Sequence, residues 1–507
     1  MPVPDQLRLL VADRPDEVAY RVVRGGDDPG EDAMTFREWD AHASRVARGL
    51  IDLGLQPKDV VGGLFTPDDA LRQLVTYVGV HKAGGVNVPV NTKFVADEIA
   101  SVLAHAEPRA LLVSEALLPM VRDIRERLPS VEIVASTGAA TDDEVGWDQL
   151  LVDDDSDVQV DIADDDVADI LYTSGTTGAP KGVVIRHRNA LAIELGTPHW
   201  NGLGWFHASP LFTTAGLSFV YVPMRLGMTA VYMGRFDPRV FLDLVESKQV
   251  QMGFLVPAMV ELILAQLDVG ERDLSGMMMC NVGSAPVAPA TLLRLQEHMG
   301  SAIISNSFGL TESGSAHMTL PPGELVKRPG SVGRPNPPVE VRIVGRDGAE
   351  LTAGEVGEVL LRNPGQEREY YKDPEATAAT WRDGWLHTGD LGHLDDDGFL
   401  YIVGRTKDVI IRGGHNIHAS DVEAVLYEHP AVREAAVVGV PHDVLGEDVA
   451  ALVVLHEGQV CAAEDLHAWC SDRLARYKVP RRIEFRDQLS RNATGKVMKR
   501  QLREELA

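Results

Sequence analysis

Tyr172-Thr-Ser-Gly-Thr-Thr-Gly-Ala-Pro-Lys-Gly182 is the stretch on which the reading of this chain turns. An apolar run, Ala168 to Leu171, leads into it and Val183 to Ile185 follows, so two strand-like segments frame a turn-rich loop. Gly175, Gly178 and Gly182 permit positive φ and close backbone approach. Thr173, Ser174, Thr176 and Thr177 carry hydroxyls that can donate to phosphate oxygens, and Lys181 adds a mobile cation. A loop built this way suits a polyphosphate. It is not the common P-loop, because Pro180 precedes Lys181 and Gly182 follows it where Ser or Thr would stand. A generic string of this composition would as readily be a flexible surface turn.

The rest of the chain sets the bounds. A length of 507 residues exceeds one ordinary core and suggests about three domains or subdomains. With 48 Lys and Arg against 75 Asp and Glu, the net charge is −27, which repels nucleic acid and anionic membranes. An anionic substrate must then meet locally concentrated donors and cations. Cys280, Cys461 and Cys470 neither pair evenly nor show metal-ligand spacing, which favours a reducing compartment. The start lacks a secretory apolar stretch, and no run approaches the roughly 18 apolar residues of a membrane span. A cytoplasmic protein is the expectation.

Periodicity predicts helices over 35–53 (with Thr35 as cap), 69–82, 95–106 and 116–128, and strands over 60–65, 85–89, 110–113 and 131–134. This alternation indicates α/β layers with a largely parallel sheet. Asp153-Asp-Asp-Ser-Asp157 and Asp164-Asp-Asp166 read as solvated loops that link this unit to a second α/β unit. Helices over 241–248, 258–267 and 289–298 and strands over 252–255, 277–282 and 302–304 continue it. After Pro329, alternation at 339–344 and 357–362 around Arg346-Asp-Gly348 predicts a small antiparallel β unit. Mixed α/β character returns beyond Gly404.

The opening string is similar to the signature loop of the adenylate-forming superfamily, which includes acyl-CoA synthetases, luciferases and peptide-synthetase adenylation domains. Further motifs follow in the superfamily's order. Asn306-Ser-Phe-Gly-Leu-Thr-Glu312 resembles its aromatic-Gly-x-Thr-Glu segment. That resemblance implies Ser307, Phe308 and Gly309 at the nucleotide, with Phe308 on the adenine, Thr311 on the α-phosphate and Glu312 holding Mg²⁺. Gly283-Ser-Ala-Pro286 resembles the small-residue segment against which adenine lies, through Ser284, Ala285 and Pro286, although Ser284 stands where a second glycine is usual. Gly384-Trp-Leu-His-Thr-Gly-Asp-Leu391 implies that Asp390 accepts from the ribose hydroxyls. Gly404-Arg-Thr-Lys-Asp408 resembles the hinge, with Arg405 on the ribose or phosphate side and Asp408 as pivot. Asn492-Ala-Thr-Gly-Lys-Val-Met-Lys-Arg500 implies Lys496 as catalytic cation. Ile411-Arg-Gly-Gly-His-Asn416 would face the acyl group after the hinge swings, with Arg412, Gly413 and Gly414 beside a pantetheine arm.

The implied fold is α/β: a large N-terminal domain of two α/β subdomains plus a small β-barrel-like subdomain, residues 1–406. A small mobile α+β C-terminal domain, residues 407–507, follows the hinge near Asp408. The implied enzyme is an AMP-forming carboxylic acid–CoA ligase using ATP, Mg²⁺ and coenzyme A. The acyl pocket would draw on Trp205, Phe212, Thr213, Gly216 and Gly283. Small residues there (Thr213, Thr214, Ala215, Gly216, Ser284) suggest room for a bulky or hydrophobic acid. Several positions depart from the pattern: Thr213 stands where acyl-CoA synthetases often carry His, Asn416-Ile-His-Ala-Ser-Asp421 replaces Asn-Ile-Tyr-Pro-x-Glu, and Ser490 replaces a common Pro. These keep two alternatives open: an enzyme that loads a separate carrier protein, and one proficient in a single half-reaction. A nucleotide-binding relic would not need Lys496, Glu312 and Asp390 together. No Phe-Asp pair anchors an amino-acid substrate here, and no Gly-x-Asp-Ser-Leu carrier segment is present. A homodimer is the base-rate expectation.

Overall fold

The computed structural model describes all residues except 27–28, 140, 142, 174–180, 191–201, 315–317, 492–496 and 507, and the side chains of 222, 223 and 225. Two seven-stranded sheets make up its first part. One is parallel through strands Val167–Thr173, Val86–Pro89, Val60–Leu64, Ala110–Val113 and Ile133–Ser136. Lys181–Arg186 pairs antiparallel with Val167–Thr173 and Glu369–Tyr370 pairs antiparallel with Lys181–Arg186. The hairpin framing the Gly/Thr loop therefore completes the first sheet. It does not open a second unit, as the acidic segments had suggested.

The second sheet runs in the order Ile303–Ser307, Met279–Gly283, Met252–Leu255, Gly204–His207, Thr229–Tyr232, Val18–Arg24, Gly30–Thr35. Its last two strands come from the N-terminus and escaped sequence reading, because Val18–Arg24 finds its parallel partner about 210 residues away (Tyr20 with Ala230). Helices Pro238–Glu246, Pro257–Leu264 and Pro289–Met299 each begin on a proline, which needs no donor in the first turn. They bury one face of this sheet around Phe206, Phe241, Leu255 and Leu292.

Helix Phe36–Asp52 starts at Thr35, whose hydroxyl accepts from the Glu38 amide while Glu38 accepts from the Thr35 amide. Its apolar stripe, with Trp39, Val46 and Leu50, packs against helix Ala70–Lys82 in the largest core. The acidic segment is tied down there. Lys82 is fully buried and its ammonium meets Asp40 at 2.7 Å, Asp157 at 3.0 Å and the Ser44 hydroxyl at 2.8 Å. Arg8 holds Asp157 from the other side at 2.8 Å, Arg48 reaches Asp154 at 3.2 Å and Lys58 reaches Asp166 at 2.9 Å. The expected solvated runs are thus partly a counter-charge for a buried cation.

From Met318 to Arg405 the strands other than Glu369–Tyr370 form a third, antiparallel sheet, with Leu400–Arg405 and Trp385–Leu394 paired at its centre. Beyond it, strands Val432–His442 and Gly446–Leu455 pair over ten positions and alternate faces with period 2. Val437, Val449, Ala451 and Val453 face helices Ala419–Tyr427 and Ala463–Ser471, whereas Val438, Ala450, Leu452 and Val454 face helix Lys499–Leu506. Both of these cores draw on residues beyond 409 alone. No described helix is long and apolar enough to cross a membrane.

Candidate active site

The candidate site draws on residues from all three of these sheets. Thr173 ends one strand opposite Lys181, which begins the next. Ser174, Gly175, Thr176, Thr177 and Gly178 of the loop between them, and Lys496 near the C-terminus, lie outside the described residues. The Lys181 ammonium sits 4.9 Å from the centre of the Tyr370 ring. Tyr370 in turn donates its hydroxyl to Glu312 Oε1 at 3.1 Å. Burial and the nearby Glu312 carboxylate push the Tyr370 phenol well up, so it stays a donor at neutral pH.

Thr311 and Glu312 stand on the turn after strand Ile303–Ser307, which Ser313 stitches by bonding Leu310 and Gly314. The Thr311 hydroxyl bonds the Thr214 hydroxyl at 2.7 Å, and its carbonyl accepts from Arg368. Phe308 packs at the edge of the antiparallel subdomain's core, while Gly309 is exposed. Asp390 is 5% exposed and pairs across the central strands with Arg405, Oδ1 to Nε 2.6 Å. Burial works against the Arg405 charge, yet Asp390, Asp408 and Glu312 outweigh it and raise the guanidinium. Glu312 thus lies within electrostatic reach of the Asp390–Arg405 pair, which joins the expected phosphate and ribose groups in one field.

Ser284 adopts φ of 68° at the end of strand Met279–Gly283, an exposed left-handed position that explains why glycine is usual there. Ala285 and Pro286 follow on the same surface turn. A Cβ on Gly283 would stand 2.8 Å from the Ser307 carbonyl, so the two strand ends close together.

Two of the small residues expected at the acyl pocket also have structural duties. The Thr213 hydroxyl accepts from the Gly216 amide at 3.0 Å, capping helix Thr214–Leu226, and donates to the Pro210 carbonyl at 2.7 Å. A Cβ on Gly216 would fall 2.1 Å from that same carbonyl. Close backbone packing and a helix start account for both. Beyond Phe212 the wall is aromatic: Phe219 lies between Trp205 (5.8 Å between ring centres), Phe254 (5.3 Å) and the stacked His207 (4.6 Å). The Trp205 indole N–H is buried with no hydrogen-bond partner among the described residues.

In the C-terminal part, Gly413 and Gly414 form an exposed turn with φ of 56° and 83°. Arg412 does not share their exposure. It is buried, paired with Asp448 at 2.6 Å, and donates to the Tyr477 carbonyl, so its side chain braces the domain interior. Asp408 ends a short turn, Thr406–Asp408, directly after the Arg405 strand.

Reading by motif missed Arg368 and Tyr370, and gave Thr214 to the acyl pocket without its bond to Thr311. No local pattern marks these contacts, because they span 57, 58 and 97 residues. Arg368 is 9% exposed, and desolvation lowers its guanidinium to about 10, against the pull of Glu312, Asp169 and Tyr221.

The AMP-binding enzyme family matches residues 8–371, and the AMP-binding enzyme C-terminal domain matches residues 421–496. The chain belongs to this family, and so to the adenylate-forming superfamily whose motifs it carries. It is an ATP-dependent, AMP-forming ligase. It is 35% identical over 491 residues to feruloyl-CoA synthase from an Amycolatopsis species, covering 94% of each chain. It is 34% identical over 487 residues to the fatty acid–[acyl-carrier-protein] ligase ScoC of Streptomyces coeruleorubidus, covering 93% of this chain and 91% of that one. ATP-bound MatB from Rhodopseudomonas palustris superposes with a TM-score of 0.87 at 29% identity, over 100% of this chain and 99% of the other.

Proposed function

We propose that this chain joins a carboxylic acid to the thiol of coenzyme A in two steps at one site. The acid's carboxylate attacks the α-phosphorus of ATP and expels pyrophosphate, and the thiol then displaces AMP from the acyl-adenylate. The observation that carries this reading is the field around Glu312. On one side Tyr370 bonds Glu312 and carries Lys181, and on the other Arg405 pairs with Asp390, the carboxylate we assign to the ribose. Two anions must approach, so positioning and charge neutralisation supply most of the catalysis.

In this reading Thr173, Ser174, Thr176, Thr177 and Lys181 hold the β- and γ-phosphates as the leaving group, Thr311 contacts the α-phosphate, and Lys496 bridges it to the carboxylate. No group of three or more His, Cys, Asp or Glu among the described residues could cage a metal ion. A single carboxylate, Glu312, fits Mg²⁺, which takes one or two protein carboxylates beside substrate phosphates and water. The ion would neutralise phosphate charge when bound. We place the domain boundary between residues 406 and 407, with Asp408 as the pivot that brings Gly413 and Gly414 to the site for thiol transfer.

The Trp205, Phe219 and Phe254 rings support a hydrophobic acid, aromatic or long-chain, over a short one. Three unpaired cysteines suit a cytoplasmic enzyme, and a homodimer is proposed on the frequency of twofold assemblies alone. A second reading, transfer to a carrier protein, is favoured by Thr213: its hydroxyl is committed to the helix cap, so it cannot act as a swinging gate.

Acid-dependent ATP–pyrophosphate exchange across a panel of acids tests the first step; acetate as best substrate would overturn the hydrophobic assignment. Thioester formation is then followed with free CoA and with a phosphopantetheinylated carrier. Turnover with the carrier alone would replace the first reading by the second.

A further inference from the structure

Arg368 is an unusual residue for its surroundings. It is buried, yet among the described residues no carboxylate forms an ion pair with it. Its hydrogen bond goes to the Thr311 carbonyl, and its Nε has no hydrogen-bond partner among the described residues. A Cβ on Gly314 would meet Nη2 at 2.9 Å, so the guanidinium lies flush against both ends of the turn that carries Thr311 and Glu312. Behind it Tyr221 donates to the fully buried Asp169 at 2.6 Å, and His81 lies 3.3 Å from the other oxygen of that carboxylate. A small cavity of ≈ 30 Å³, about the room of one water, separates Arg368 from Tyr221, Ser218 and Thr214.

Burying a guanidinium without an ion pair costs several kcal/mol by the usual order of magnitude, and an apolar side chain would fill the space more cheaply. Such expense concentrates at working sites. The arrangement has a function that a plug would not have. A planar guanidinium fixes a carbonyl in direction as well as distance. Thr311 is then gripped twice, by Arg368 at its carbonyl and by Thr214 at its hydroxyl. The charge also sits in a low-dielectric setting one residue behind the groups assigned to the α-phosphate, where anionic charge grows during attack.

We propose that Arg368 is the positioning residue for the Thr311–Glu312 turn, holding both side chains in the geometry that the adenylation transition state requires. The proposal rests on the assignment of that turn to the ATP α-phosphate.

The experiment is ATP–pyrophosphate exchange with Arg368→Gln, Arg368→Lys and, as control for the site assignment, Glu312→Gln. Arg368→Gln is expected to lower kcat at least about 30-fold, with KM for ATP and acid within about threefold and Tm within about 3 °C. Arg368→Lys, which keeps charge and a donor, is expected to recover to within about tenfold of the parent. A kcat for Gln within about threefold of the parent overturns the proposal, as does a Lys variant no better than Gln, or losses of kcat, KM and Tm in proportion. If the Gln variant does not fold, Lys decides: a kcat lowered about three- to tenfold at constant KM supports positioning, and the parent's kcat overturns it. An unimpaired Glu312→Gln variant would instead overturn the assignment of the turn itself.

Discussion

Tyr370 touches two charges at the candidate site: its hydroxyl donates to Glu312 at 3.1 Å, and its ring carries the Lys181 ammonium 4.9 Å from its centre. Tyr370→Phe separates the two roles, because the ring stays and the hydrogen bond goes. A hydrogen bond to a charged group contributes about 1.5–3 kcal/mol at most, so Mg·ATP affinity should fall by about tenfold, while metal-free ATP binds as before. Calorimetric titration without the acid measures this directly, with no turnover. Equal losses with and without Mg²⁺ would show that the hydroxyl orients something other than Glu312.

Ser284 occupies a left-handed backbone position with its side chain exposed. Glycine has no steric penalty there, whereas serine pays about 1 kcal/mol. Ser284→Gly should therefore hold or raise stability by up to about 1 kcal/mol, read as a higher urea midpoint at constant m. It should leave acid-dependent exchange intact. A loss of ATP affinity in this variant would mean that the hydroxyl itself contacts the nucleotide.

The sequence made the chemistry legible and left the framework obscure, for physical reasons. The motif around Asp390 and that around Arg405 were each readable alone; their 2.6 Å contact across neighbouring strands follows from hairpin register. The Gly/Thr hairpin was visible as a loop, but its sheet was not, since a strand's partner is set by tertiary packing. Tyr20 pairing with Ala230 is the clearest instance. Arg368 and Tyr370 carry no local signature because their roles exist only through Thr311 and Glu312. Gly216 was legible as a small residue, but its close approach to the Pro210 carbonyl was not.

Lys82 supplies a stability test. Its ammonium is wholly buried between Asp40 and Asp157, and removing it takes the cation from Asp40 and leaves Asp157 with Arg8 as its counter-charge. Lys82→Met should cost about 3–5 kcal/mol, the loss typical when one partner of a buried ion pair is deleted. Adding Asp40→Asn should recover part of that loss, because it removes the carboxylate that Lys82 alone had faced. Urea unfolding of the two single variants and the double variant measures the coupling. A purely additive result would show that Lys82 and Asp40 do not depend on each other.

Two histidines outside the catalytic groups set how the fold responds to acid. His207 is enclosed by Tyr20, Phe219 and Tyr232, and burial lowers it to about 3. His187 accepts from the Val3 amide at 3.3 Å and lies 5.1 Å from His81; burial, then that neighbour, also lowers it to about 3. Unfolded, each would titrate near 6.5. The folded state thus resists protonation, and the unfolded state binds more protons at every pH between about 3 and 6.5. Stability from these groups is complete above pH 6.5 and is lost as the pH falls toward 3. Each histidine contributes a slope of about 1.4 kcal/mol per pH unit within that window. The urea midpoint should therefore hold between pH 7.5 and 6.5 and fall steadily from pH 6 to 5, well above the usual carboxylate range. His207→Gln, which can still bond the Tyr20 hydroxyl but cannot take a proton, should remove about one histidine's share of the slope. A slope unchanged by that substitution would assign the acid sensitivity to other groups.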